Sequence, residues 1–170
     1  MPTTHVKICC ISSPDEARLA AAAGAHALGL VSAMPSGPGV IDEALIGRIA
    51  AQVPAEVQTF LLTSKLSALD IIAQHQRCRT TTLQLVDAVP PDELRRLRDA
   101  LPGVRLVQVV HVLGPASVDE AVALAPLVDA ILLDSGNPNL AVKELGGTGR
   151  THDWATSRQI VQAVPCPVYL

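Results

Sequence analysis

Short aliphatic runs recur along the chain, each followed by a polar turn and then by a segment with apolar residues at helical spacing. The runs predict strands over residues 6–11, 27–32, 57–63, 81–86, 105–112, 130–134 and 167–170. Helix-start chemistry stands between them. Ser13-Pro14-Asp15-Glu16 has the spacing of a capping box with proline at the first helical position, and Gly24 supplies a stop. Ser67 with Asp70, and Ser117 with Glu120, repeat that capping spacing. Pro90-Pro91-Asp92-Glu93 opens a further helix, striped by Leu94, Leu97 and Leu101, that Pro102-Gly103 ends. The alternation repeats roughly every 20–37 residues and predicts βα units in a single domain over residues 1–170, with no linker to divide it.

Composition narrows the architecture. Hydrophobic residues make up 49% of the chain but aromatics only 2%, so the interior must be built from Ala, Val, Leu and Ile. That favours parallel strands buried on both faces. A formal charge of -3 gives no basic field for nucleic acid, and the shortage of aromatic rings removes a stacking platform for single strands. The opening residues carry no apolar signal region, and no apolar run is long enough to span a bilayer, so no membrane partner is expected. Cys9, Cys10, Cys78 and Cys166 show neither zinc-ligand spacing nor a disulfide framework. No metal site and a reducing, cytoplasmic setting follow.

Alternating βαβα in one domain leaves an open doubly wound sheet or a closed barrel. No GxGxxG follows the first strand, as a dinucleotide fold requires. Chemistry at the ends of several strands favours the (β/α)8 TIM barrel, whose active site lies on that face. Seven strands are legible where a barrel of this kind needs about 200 residues or more. The expectation is an incomplete α/β barrel, truncated after strand seven and short of roughly one and a half βα units. Strands beside the opening would expose backbone donors, an aggregation hazard, unless a homo-oligomer covers them.

Two places carry candidate chemistry. Residues 131–133 form an apolar strand ending in Asp134, a carboxylate where a buried strand leaves its sheet. The loop beyond it contains Gly146-Gly147-Thr148-Gly149, and Asp153-Trp154 then opens a helix. Backbone N–H groups freed by glycines near a helix start suit a phosphate oxyanion, although an ordinary βα connection capped by Asp153 explains the same residues. In strand one, period two puts Lys7 and Cys9 on one face and Val6, Ile8 and Cys10 on the other. An ammonium beside Cys9 would favour its thiolate and make it a usable base; the alternative is that Lys7 snorkels and Cys9 packs as a small hydrophobe. His111 reads as a hydrogen-bonded core residue, His5 and His75 as surface, and Lys143 and Arg150 as solvated loop charges. Asp87 is either a cap or a pocket carboxylate.

Lys7-Ile8-Cys9, Ser13-Pro14-Asp15-Glu16-Ala17 and Ala22-Ala23-Gly24-Ala25-His26-Ala27-Leu28-Gly29-Leu30-Val31 resemble the opening of phosphoribosylanthranilate isomerase. Leu83-Gln84-Leu85, Leu132-Leu133-Asp134-Ser135, Gly146-Gly147-Thr148-Gly149 and His152-Asp153-Trp154 follow in that family's order. The resemblance implies a (β/α)8 isomerase of tryptophan biosynthesis that needs no cofactor and takes a small phosphorylated sugar. The expected reaction is an Amadori rearrangement of N-(5-phosphoribosyl)anthranilate to the 1-deoxyribulose phosphate. It implies Asp134 as general acid and Cys9 as general base, the glycine run holding part of the phosphate, and Gln84 on the pocket floor. Such chemistry calls for a raised pKa at Asp134 and a lowered one at Cys9.

Departures from the family pattern are equally specific. Cys10 stands where the family has Gly, and Gln84-Leu85-Val86-Asp87 where it has Gln-Leu-His-Gly. After strand two the family carries Ser-Pro-Arg, whose Arg grips the anthranilate carboxylate; here the run is Met34-Pro35-Ser36-Gly37-Pro38-Gly39-Val40. Losing a bidentate carboxylate partner alters substrate recognition. The alternatives are therefore a related isomerase of another phosphosugar, or a non-catalytic phosphate-ligand binder or inactive fragment.

Overall fold

The computed structural model describes residues 4–170. It contains β1 (Lys7–Ile8), α1 (Pro14–Ala22), β2 (Ala27–Val31), α2 (Glu43–Ala50), β3 (Gln58–Thr63), α3 (Ala68–Cys78), β4 (Thr82–Leu85), α4 (Pro91–Ala100), β5 (Arg105–His111), α5 (Ala116–Leu124), β6 (Ala130–Asp134), α6 (Trp154–Ala163) and β7 (Val168–Tyr169). A short 3-10 turn, Ala125–Leu127, follows α5. The seven strands form one sheet in chain order, every neighbouring pair parallel. Each of the seven expected strands is present, with 130–134 matched at both ends.

The sheet is curled. Phe60 of β3 and Tyr169 of β7 meet edge to face with ring centroids 5.7 Å apart. In a flat sheet, four strand spacings would separate them by about 19 Å. Two of the chain's three large aromatic side chains thus fill the interior, where aliphatic residues are too small to bridge the curl. Period two sorts the rest. Ala27, Val31, Leu62, Val107, Val109 and Ala130 point inward, while Leu28, Leu30, Leu61, Leu83, Leu106 and Ile131 pack against the helices. The architecture is that of a (β/α)8 barrel with seven strands present. Among the described residues β1 and β7 do not pair with each other, and Val6 and Ile8 on the outer side of β1 are exposed, as is Leu19 of α1.

Helix starts follow the expected chemistry in part. Ser13 caps α1 by accepting from the Glu16 N–H at 3.2 Å, while the Glu16 carboxylate takes the Ser12 N–H at 2.7 Å. Asp153 caps α6 by accepting from the Ala155 N–H at 2.8 Å. Ser67 makes no capping bond; the Glu93 carboxylate, reaching across from α4, takes the Ala68 N–H at 2.6 Å instead. Ser117 lies inside α5, not before it, and its hydroxyl donates to the His111 carbonyl at 3.2 Å. At Ser67 a tertiary partner overrides the local spacing, whereas Ser117 closes the turn between β5 and α5.

Candidate active site

A cavity of about 870 Å³ runs the depth of the curled sheet, from Arg105 and Asp129 at the strands' N-terminal side to Cys9, Asp134 and Gly146 at their C-terminal ends. Lys7, Cys9, Gln84, Asp134, Gly146 and Gly147 all line it. Thr148 and Gly149 are not among its lining residues. Thr148 ties the loop to the end of β6 through a 2.8 Å hydroxyl contact with Ser135.

Cys9 follows directly after β1 and is exposed. Its sulfur lies against β2 at Gly29, where an added Cβ would sit 2.7 Å from Sγ and 3.1 Å from the Cys9 Cα. The absent side chain at Gly29 therefore makes room for the thiol. Lys7 pairs with Ala27 and holds its Nζ 5.4 Å from the centre of the Phe60 ring, inside the cavity.

Cys10 corrects the face assignment made from strand periodicity. Its φ is +60°, in the left-handed region that L side chains rarely adopt. The reversal ends β1 at Ile8, short of the expected residue 11, and turns Cys10 to the same cavity as Cys9. Its thiol donates to the Pro38 carbonyl at 3.6 Å, and its Cβ would lie 2.6 Å from a Cβ at Gly39. Burial raises the Cys10 thiol pKa, as do the charge and hydrogen bond of Cys9, against an opposing pull from Lys7.

Asp134 ends β6 opposite His111 of β5. Its Oδ1 accepts from the Gly136 N–H at 2.6 Å and lies 3.8 Å from His111 Nδ1. Burial pushes the carboxyl up, but the nearby His111 imidazole, the hydrogen bond from the Gly136 N–H and the influence of His152 outweigh it and leave Asp134 below the ordinary carboxylate range. The direction is opposite to that expected for a lone general acid. Its cause is a histidine contributed by another strand, one whose place in the sequence suggests only a core residue.

The loops after β2 and β6 meet across the mouth. Ser36 Oγ donates to the Lys143 carbonyl at 2.5 Å and accepts from the Leu145 N–H at 3.4 Å. Gly147, at φ +67°, packs so closely on Pro38 that a Cβ would fall 2.7 Å from its ring. Lys143 and Arg150 stay partly or largely exposed, as expected of loop charges, but each also carries an ion pair. Lys143 pairs with buried Asp87 at 2.5 Å, and Arg150 pairs with Glu144. Asp87 is thus a tethered carboxylate below the mouth, and it also accepts from the Ala88 N–H at 2.9 Å. Gln84 is buried at the floor, its Oε1 without a hydrogen-bond partner among the described residues. His5 is exposed and stacks on His26, whereas His75 is half-buried, with Nε2 2.7 Å from the Thr80 carbonyl. No group of three acidic, His or Cys side chains that would hold a metal ion occurs among the described residues.

No family model matches the chain. An N-(5'-phosphoribosyl)anthranilate isomerase of Methanocella arvoryzae is 32% identical over 167 residues, which span 98% of this chain and 76% of that protein. The chain belongs to the phosphoribosylanthranilate isomerase family. Solved structures of this family share the fold. Phosphoribosyl anthranilate isomerase from Thermotoga maritima superposes with a TM-score of 0.80 at 21% identity, covering 98% of this chain and 77% of its own. A phosphoribosyl anthranilate isomerase in complex with reduced 1-(o-carboxyphenylamino)-1-deoxyribulose 5-phosphate matches with a TM-score of 0.69 at 22% identity, over 78% of this chain and 65% of its own. Phosphoribosylanthranilate isomerase membership and a barrel mouth bearing Cys9, Asp134 and the glycine loop therefore coincide in one molecule.

Proposed function

We propose that this chain performs the isomerase reaction of its family in tryptophan biosynthesis, with Asp134 as general acid and Cys9 as general base. The observation that carries the reading is that these two residues, from the ends of β1 and β6, open onto one cavity. The substrate is an N-(5-phosphoribosyl)anthranilate. Protonation of the ribose ring oxygen by Asp134 breaks the C1′–O bond and gives a Schiff base. Cys9 then removes the C2′ proton, and the resulting enolamine tautomerises to the ketone. Backbone N–H groups of Gly146 and Gly147 cradle part of the phosphate. The setting is cytoplasmic, in keeping with four free thiols and with the lack of any helix, among the described residues, long and apolar enough to cross a membrane.

Turnover of N-(5-phosphoribosyl)anthranilate is followed by loss of anthranilate fluorescence, with Cys9→Ala and Asp134→Asn as controls. Both variants should lose activity by about 10²-fold or more. Normal turnover of Cys9→Ala would remove the proposed base.

A second reading concerns specificity. The loop after β2 has no Arg or Lys between residues 32 and 42, and the flanking cations Lys143 and Arg150 are engaged with Asp87 and Glu144. A phosphosugar amine without the anthranilate carboxylate fits a site lacking its bidentate partner. Comparing kcat/KM for substrates with and without that carboxylate decides; a strong preference for the carboxylate would end the second reading.

A further inference from the structure

His111 points into the barrel interior from β5 and is 8% exposed. Its Nε2 lies 3.1 Å from the Val86 carbonyl oxygen. A carbonyl only accepts, so Nε2 carries a proton. The other ring nitrogen, Nδ1, is buried without a hydrogen-bond partner, and Asp134 Oδ1 stands 3.8 Å away. With a neutral ring and an ionised carboxylate, a lone pair would face an anion and neither group would be satisfied. One added proton resolves the conflict. Held on Nδ1 it makes an imidazolium facing a carboxylate; held on oxygen it makes a carboxylic acid facing an imidazole. Gly136 keeps the space open, since a Cβ there would fall 2.9 Å from Nδ1 and 3.1 Å from Oδ1.

We propose that His111 and Asp134 hold a single proton between them, and that His111 is the positioning residue that keeps it available for delivery through Asp134. This rests on the isomerase reading for its role in turnover, not for the existence of the pair. In the ring-opening step, the shared proton passes from Nδ1 to the Asp134 carboxylate and on to the ring oxygen as the C1′–O bond breaks, leaving a carboxylate beside a neutral imidazole protonated on Nε2. In the closing tautomerisation the thiol proton of Cys9 goes to C1′, and the proton released by the 2′-hydroxyl returns to the pair. Protons balance over the cycle. The pair also explains how a carboxyl held below its ordinary range has a proton to give at neutral pH.

Two other groups act on it. Glu120 of α5, itself raised by burial, feels the His111 charge, and His152 of the loop after β6 adds positive charge near Asp134. The Glu120 carboxylate acting on His111, and His152 when it carries a proton, both favour the imidazolium–carboxylate form.

The test combines nitrogen NMR with kinetics on the full chain. In protein labelled at the histidine ring nitrogens, His111 should keep Nε2 protonated throughout, and its Nδ1 titration should move to lower pH in Asp134→Asn. In His111→Gln, which can still donate to the Val86 carbonyl, kcat should fall at least tenfold with KM little changed, and the alkaline limb of the pH profile should move to lower pH. An unmoved limb in an active His111→Gln, or a His111 titration unaltered by Asp134→Asn, overturns the proposal. A moved titration in a protein with no turnover would keep the proton-sharing pair and overturn the isomerase reading instead.

Discussion

Gly29→Ala isolates the packing that aims the Cys9 thiol. The added methyl would lie 2.7 Å from Cys9 Sγ and 3.1 Å from its Cα. Comfortable packing needs about 3.5–4.0 Å, so the overlap is about 1 Å, and a side-chain rotation relieves only the sulfur. The clash with the backbone carbon forces the end of β1 to move. Overpacking of this kind costs about 1–3 kcal/mol, while replacing a strand glycine recovers about 0.5–1 kcal/mol of chain entropy. A net loss of about 1 kcal/mol lowers Tm by about 2–4 °C in a chain of this size. The same displacement at a reacting atom costs about 10²-fold in turnover. Urea denaturation gives the first quantity, and kcat/KM with the alkylation rate of Cys9 gives the second. Full turnover and an unchanged Cys9 alkylation rate in Gly29→Ala would refute the claim that this close approach sets the thiol's position.

Other outcomes follow from the same geometry. Cys10→Gly removes left-handed strain of about 1–2 kcal/mol at the cost of about 0.5–1 kcal/mol in chain entropy, so the urea midpoint should rise slightly; a loss above about 1 kcal/mol would show that the packing on Pro38 and Gly39 dominates. Burial pushes the Cys78 thiol up to about 11, so the unfolded chain loses this proton first and stability should fall as pH rises from 9 toward 11, a component that Cys78→Ala should lack. Lys143→Ala strands the buried Asp87 carboxylate, whereas Asp87→Ala leaves a part-exposed amine. The lysine variant should therefore be the less stable, by about 1–2 kcal/mol in thermal unfolding.

Much of the fold is legible because its signals are local. The run 130–134 is bounded by turn residues and stands as a strand at the expected ends. Ser13 and Asp153 cap their helices because nothing competes for the freed N–H groups. Where a distant partner intervenes, local spacing misleads. The Glu93 carboxylate, reaching over from α4, displaces the Ser67 cap. The site shows the same division. Cys9, Asp134 and the glycine loop are visible as residues at strand ends, and the cavity joins them. The downward shift at Asp134 depends on His111, one strand over, and on the register of β5 with β6. Two signals could have pointed there: a histidine at the C-terminal end of a strand beside the one bearing the acid, and a non-glycine residue where the family's chain turns. The Ser36 link to the loop after β6 had none, because its two ends lie 107 residues apart.

Among the described residues, the outermost strands of the sheet are also its briefest. β1 and β7 each offer two residues, against as many as seven in β5. A foreign strand docking on either rim would gain a bond or two before running out of ladder, too little to repay the order imposed on it. Brevity at these two strands therefore gives another backbone little to grip.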